Sequence, residues 1–144
     1  MDTAELLRRC MTIGTSTWSD ALDQCGISGV VRGLVQRSGR GRFAGFAVTA
    51  RERAGALGSY PRAEFGVGKM IAAIEPGNVL MADVGGADVS TFGGLAALAT
   101  QKRAAGVVID GGCRDSRPAC GWQAAPLPRP RARRGSSWKP WVRR

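Results

Sequence analysis

The chain contains no histidine. That absence removes the mechanisms built on an imidazole: Ser-His-Asp and Cys-His nucleophilic pairs, His-ligated zinc, and a histidine acid or base. Chemistry must rest instead on carboxylates, Arg, Lys, thiols, backbone amides, water or a hard metal ion. No apolar run approaches the roughly 20 residues that a membrane-spanning helix needs. The start of the chain, Met1-Asp2-Thr3-Ala4-Glu5-Leu6-Leu7-Arg8-Arg9, is charged and amphipathic and lacks the apolar core of a secretory signal. The expectation is a cytoplasmic protein with no membrane partner. The four cysteines, at positions 10, 25, 113 and 120, show no Cys-x-x-Cys spacing, and without an export signal they read as free thiols.

Acid is missing from one end only. Residues 1–115 hold 13 Lys and Arg and all 11 Asp and Glu, whereas residues 116–144 hold eight Lys and Arg and no acid. Most of the net charge of +10 therefore sits in the last segment. That segment also carries five of the seven prolines and three of the four tryptophans, and beyond alanine only Leu127 and Val142 are aliphatic. No helical or strand period is readable in it. It cannot bury enough apolar surface to offset the entropy of ordering, so residues 116–144 are expected to form a disordered or loosely attached basic tail. At 144 residues the chain is long enough for one core, assigned to residues 1–115.

The body has a readable period. Helices are predicted over residues 3–12, 19–25, 63–75 and 94–105. Strands are predicted over 29–36, 43–51, 78–84 and 106–110. Gly26 stops the second helix and Pro76-Gly77 the third. Residues 85–92 read as a glycine-rich loop.

Residues 92–115 carry the most chemistry. Gly93-Gly94 opens the alanine-rich helix Gly-Leu-Ala-Ala-Leu-Ala-Thr-Gln, residues 94–101. A helix N-terminus offers N–H groups and partial positive charge to a carboxylate, and glycine lets a ligand approach the backbone. Gly106-Val107-Val108-Ile109-Asp110 reads as a strand buried on both faces. It runs into Gly111-Gly112-Cys113-Arg114-Asp115. Ligands of α/β proteins sit where strands end in such loops. Arg114 can grip a carboxylate or keto oxygen with its planar fork, and Asp115 can hold a hard divalent cation. The same spacing also serves as plain scaffold. Elsewhere, Gly66-Val67-Gly68-Lys69 lacks the Ser or Thr of a phosphate loop. Lys69 and Lys102 offer no good case for a Schiff base, which needs a desolvated lysine.

Gly93-Gly94-Leu95-Ala96-Ala97-Leu98-Ala99, followed by Gly106-Val107-Val108-Ile109-Asp110-Gly111-Gly112-Cys113-Arg114-Asp115, resembles the signature of the RraA-like family. Ser19-Asp20-Ala21-Leu22-Asp23 is similar to that family's early helix. Phe46-Ala47-Val48-Thr49-Ala50 resembles its Gly-x-Ala-x-Thr strand, and Pro76-Gly77-Asn78-Val79-Leu80-Met81-Ala82-Asp83 its Pro-Gly-Asp-Val strand. The resemblance covers about residues 15–115. The family contains 4-hydroxy-4-methyl-2-oxoglutarate aldolases and regulators of ribonuclease E.

What the resemblance implies is specific. The fold would be α/β, a layered βαβ-type swivelling domain with a central mixed sheet or barrel. The reaction would be cleavage of a 4-hydroxy-2-oxo diacid to pyruvate, with oxaloacetate decarboxylation as a side activity, because both pass through a pyruvate enolate. Mg²⁺ or Mn²⁺ would act as the Lewis acid. Asp115 would support that metal, partly through waters. Arg114 would bind the pyruvyl oxygens, and the amides of Gly93, Gly94, Leu95 and Ala96 would hold the carboxylate. Many members carry an acidic residue at the position of Gly94. The assembly would be a trimer or a hexamer.

After Asp115 the family pattern continues with further strands, and residues 116–144 show no match to them, so those C-terminal strands are expected to be missing. A reading-frame change in a GC-rich gene is one explanation, to be tested by sequencing codons 115–125. Three functions stand side by side: a metal-dependent aldolase impaired by the altered end, a noncatalytic regulator of ribonuclease activity, and a nucleic-acid binder. In the last, Pro128-Arg129-Pro130-Arg131-Ala132-Arg133-Arg134 would neutralise phosphates while Trp138 and Trp141 stack on bases.

Overall fold

The computed structural model describes residues 1–87, 89–113 and 123–126. Two helices come first, α1 (Thr3–Thr12) and α2 (Thr15–Gln24). The Asp2 carboxylate accepts from the Glu5 amide at 2.8 Å and caps α1. Glu5 in turn accepts from Arg8 and Arg9, and these guanidiniums, Arg8 foremost, hold its carboxyl below the usual range. Neither helix contains a fully buried residue. Arg42 ties the end of α1 to the chain, donating to the Met11 and Ile13 carbonyls at 3.3 and 2.8 Å.

The remaining elements in chain order are β1 (Leu34–Ser38), β2 (Ala47–Arg51), α3 (Val67–Ala72), β3 (Val79–Asp83), β4 (Ser90–Phe92), α4 (Gly94–Gln101), β5 (Gly106–Asp110), β6 (Gly112–Cys113) and β7 (Gln123–Pro126). A five-stranded sheet has the order β1-β7-β5-β3-β2. β2, β3, β5 and β7 run parallel, and β1 pairs antiparallel with β7. The sheet is thus mixed, as expected. It is open: β1 and β2 are its edges, and no barrel closes among the described residues. β4 and β6 form a separate two-stranded parallel ladder.

Register explains the core. Val79 to Asp83 pair residue by residue with Gly106 to Asp110, and Ala47 to Arg51 with Val79 to Asp83. Alternation then puts Leu80 and Ala82 on the same face as Val107 and Ile109. Those four pack with Ile74, Phe92, Ala96 and Ala97, and with Met70 and Ile71 of α3. Leu80 is 0% exposed and Ile109 1%. Each such side chain contributes about 1.5–3 kcal/mol on burial. α3 and α4 pack against each other, as right-handed crossovers to successive neighbouring strands require. The other sheet face is less covered, with Met81 and Val108 half-buried and Thr49 exposed. β5 is therefore not buried equally on both faces, contrary to the reading of its apolar run.

Boundaries moved for local reasons. The strand expected over 29–36 lies at Leu34–Ser38, because Gly33 at φ 81 interrupts extended backbone. The helix expected over 63–75 is confined to Val67–Ala72, after a 3-10 turn at Arg62–Glu64. α4 ends at Gln101 instead of 105, where the Arg103 and Ala104 amides both turn back to the Thr100 carbonyl. The predicted loop 85–92 contains β4. Within residues 116–144, Gln123–Pro126 form β7 and the rest lie outside the described residues. Gln-Ala-Ala-Pro has no side-chain period to read; its backbone pairs with β5 on one side and β1 on the other.

Two positions test this packing. A Cβ on Gly45 would run into the Gly77 carbonyl oxygen and lie 3.2 Å from the Asn78 carbonyl carbon, both backbone atoms with little freedom to shift. Gly45→Ala should lower unfolding free energy by about 1–3 kcal/mol. Thr100 is 1% exposed and its hydroxyl has no hydrogen-bond partner. Thr100→Val should therefore raise stability by about 1 kcal/mol, since it removes an unsatisfied polar atom at constant shape. Urea titrations read both.

Candidate functional site

The site expected from sequence is built where β3 and β5 end. Gly93 is the N-cap of α4, with extended backbone at φ −114 and ψ −178 and no side chain to cap the helix. Its carbonyl accepts the Ala97 amide at 3.0 Å, the first helical bond. The first turn of a helix leaves its N–H groups without partners inside the helix, and Leu95 and Ala96 stand in that turn. Their side chains diverge: Leu95 is 86% exposed, while Ala96 is buried against the core.

The β4–β6 ladder sets this turn beside the end of the glycine loop. Ser90 pairs with Gly112, and Phe92 with Cys113. The Cys113 thiol also donates to the Phe92 carbonyl at 3.3 Å. Gly93 follows Phe92 directly, so the backbone brings the α4 N-terminus next to Cys113. Arg114 and Asp115 follow Cys113 in sequence and lie outside the described residues.

The glycines of the Ile-Asp-Gly-Gly-Cys run have a packing role. A Cβ on Gly111 would sit 2.8 Å from the Val84 Cβ, and one on Gly112 would sit 2.6 Å from the Val89 carbonyl oxygen. These contacts let the β5–β6 turn lie against loop 84–89. Gly85 and Gly86, at φ 67 and 70, make that loop's turn. The Gly86 amide donates to the Asp110 carbonyl at 3.1 Å.

A charged row at the strand ends was not singled out in the sequence. Arg51, Asp83 and Asp110 are register partners across β2, β3 and β5. Arg51 Nε donates to Asp83 Oδ2 at 3.1 Å, and Asp83 Oδ1 accepts the Gly85 amide at 2.9 Å. The available signal was that each of these three strands ends in a charged residue. Among the described residues no group of three or more Asp, Glu, Cys or His is placed to share a metal ion. Cys10, Cys25 and Cys113 are free thiols, while Cys120 is outside the described residues. Lys69 lies in the short helix α3 and Lys102 is an exposed C-cap, so neither is desolvated. No helix among the described residues is long and apolar enough to cross a membrane.

A parallel α/β sheet whose strands end in glycine loops, beside the N-terminus of an alanine-rich helix, defines an α/β domain with its ligand end at the strand carboxyl termini. The family model described as RraA-like, Aldolase/RraA, matches residues 15–124, and the chain belongs to that family. The match runs past Asp115 and through the first residues of β7. Among solved structures, Streptomyces coelicolor RraAS2, described as an unusual member of the RNase ES inhibitor RraA protein family, aligns with a TM-score of 0.68 at 20% identity. That alignment covers 88% of this chain and 63% of that one. A structure described as novel cellulases from microbes associated with the gut ecosystem gives the same TM-score of 0.68 and 20% identity, over 88% and 59%. At that identity both show the fold alone. The RNA-processing inhibitor RraA from Thermus thermophilis aligns with a TM-score of 0.59 at 27% identity, over 78% of this chain and 66% of that one. This chain therefore spans less than two thirds of these relatives. Comparison with curated proteins gives no match.

The β5–β6 turn is a direct test of the arrangement. Gly112→Ala would press a methyl group onto the Val89 backbone and separate β6 from β4. The expected result is a loss of about 1–3 kcal/mol of stability in a urea titration. Alkylation of the Cys113 thiol should also quicken as its contact with Phe92 opens.

Proposed function

We propose that the chain is a divalent-metal-dependent aldolase that cleaves 4-hydroxy-4-methyl-2-oxoglutarate-type diacids to pyruvate, with oxaloacetate decarboxylation as a side activity. The observation that carries this reading is the β4–β6 pairing. It supports a site in which the first turn of α4 and the Arg114-Asp115 segment work on one small anionic substrate. In this reading the amides of Gly93, Gly94, Leu95 and Ala96 hold the substrate carboxylate, as helix N-termini do. Arg114 grips the pyruvyl oxygens through its planar fork and fixes the carbon–carbon bond for cleavage. Asp115 supplies hard oxygen ligands suited to Mg²⁺ or Mn²⁺, which keep several waters and need only one or two carboxylates. When bound, that metal supplies Lewis-acid stabilisation of the developing enolate. A small 2-oxo acid as substrate and a homotrimer or hexamer as the working assembly belong to the same proposal. So does an activity lower than that of longer relatives, since a site near a subunit contact depends on the elements that close it.

A second reading has its own support. Two of the solved relatives are named as inhibitors of RNase ES and of RNA processing. A noncatalytic regulator would use the same fold without turnover. Nucleic-acid binding by the basic end has only charge and tryptophan content behind it.

Pyruvate release from the hydroxy-diacid by the full chain separates these readings. Turnover should vanish with EDTA and return with Mg²⁺ or Mn²⁺. Asp115→Ala should abolish it, and Arg114→Lys should reduce it on the order of 10²-fold, because an ammonium cannot reproduce the two parallel bonds of the fork. Turnover that survives EDTA or Asp115→Ala would refute the metal-dependent assignment. No turnover, with inhibition of a purified ribonuclease E-type enzyme, would favour the regulator.

A further inference from the structure

One end of the sheet collects features that the proposed reaction does not use. β2, β3, β5 and β7 are parallel, so their carboxyl ends share that end. α3 and α4 both begin there, because each follows a strand that finishes there. Large apolar side chains stand exposed around those helix starts: Phe65 at 70%, Leu95 at 86%, and Val67, Val89 and Leu98 at 40–54%. Exposed apolar groups grouped at one end mark a surface that something covers. Beside them runs the row Arg51, Asp83 and Asp110, one cation to two carboxylates, with Glu52 next in sequence.

β7 ends at Pro126, on this same end, because it runs parallel to β5. The 18 residues that follow, 127–144, hold seven Lys and Arg, no acid, Trp138 and Trp141. We propose that residues 127–144 dock across the carboxyl end of their own sheet. In this arrangement Trp138 and Trp141 cover Phe65 and Leu95, and the cations face Asp83 and Asp110. Three arguments favour this occupant over a second copy of the chain. The segment starts at the surface it would cover, so tethering gives it an effective concentration on the order of millimolar. It spans up to about 60 Å when extended, more than enough to cross one small domain. Its charge is opposite to that of the carboxylates, whereas two whole chains at +10 each repel one another. The docked segment would lie over the first turn of α4 and limit entry to it. None of this depends on what reaction that turn serves.

The test uses the full chain. Iodide and acrylamide quenching of Trp138 and Trp141 is obtained by difference from a Trp138→Phe/Trp141→Phe variant. A synthetic peptide of residues 127–144 provides the unprotected reference. Quenching in the chain should be several-fold weaker than in the peptide. It should rise to the peptide value in Phe65→Gln/Leu95→Gln, whose exposed positions leave the core intact, as an unchanged far-UV circular dichroism spectrum would verify. In parallel, a zero-length carbodiimide should link Lys139, the sole lysine of the segment, to Asp83, Asp110 or Glu52 within the monomer band. Quenching equal to that of the peptide would overturn the proposal. So would protection lost on about hundredfold dilution, the mass-action sign of a second copy. Lys139 links confined to dimers, or absent at those three carboxylates, would overturn it as well.

Discussion

Residue-by-residue parallel pairing of β3 with β5 holds the rest of the molecule in place. It sets Leu80 and Ala82 beside Val107 and Ile109, under α3 and α4. A slip of one residue would turn these four side chains to the less covered face and bring Met81 and Val108 inward. The same register aligns Asp83 with Asp110, so the loops leaving both strands start side by side. From there the glycine contacts at positions 111 and 112 bring the β5–β6 turn against loop 84–89. The short β4–β6 ladder and the start of α4 follow from that closeness.

Polarity in this fold is concentrated by direction. Four parallel strands deliver their carboxyl ends, two helix starts and a charged row to one end. The opposite end is tied by backbone bonds between turns, such as the Gly77 amide to the Arg103 carbonyl and the Ala105 amide to the Asn78 carbonyl. Those bonds stabilise without offering side-chain chemistry. Function in such a fold resides in what is grafted onto the ligand end, which is why one family architecture accommodates proteins named for different activities.

Much of the body was legible because its signals are local. Asp2 announces α1, Gly26 ends α2, and the apolar runs of β3 and β5 are bounded by glycines. The Gly93-Gly94 helix start was legible for the same reason. Other features depend on partners far along the chain. β4 and β6 are two or three residues each and exist only through one another. β7 has no apolar alternation of its own and is placed by backbone pairing on both sides. The row Arg51, Asp83 and Asp110 spans three strands, so no spacing within the sequence displays it.

The sequence alone determined the class of fold, the family, the exclusion of imidazole chemistry and the division of charge between body and tail. Each of these is a matter of composition, local period or a contiguous motif, and needs no distant contact. Only the tertiary structure decided which glycines serve close packing, which face of the sheet is covered, and that the α4 N-terminus lies beside Cys113. Those outcomes are set by register and loop closure between residues 20 or more positions apart, as between Phe92 and Cys113, and such contacts leave no local trace in the order of residues.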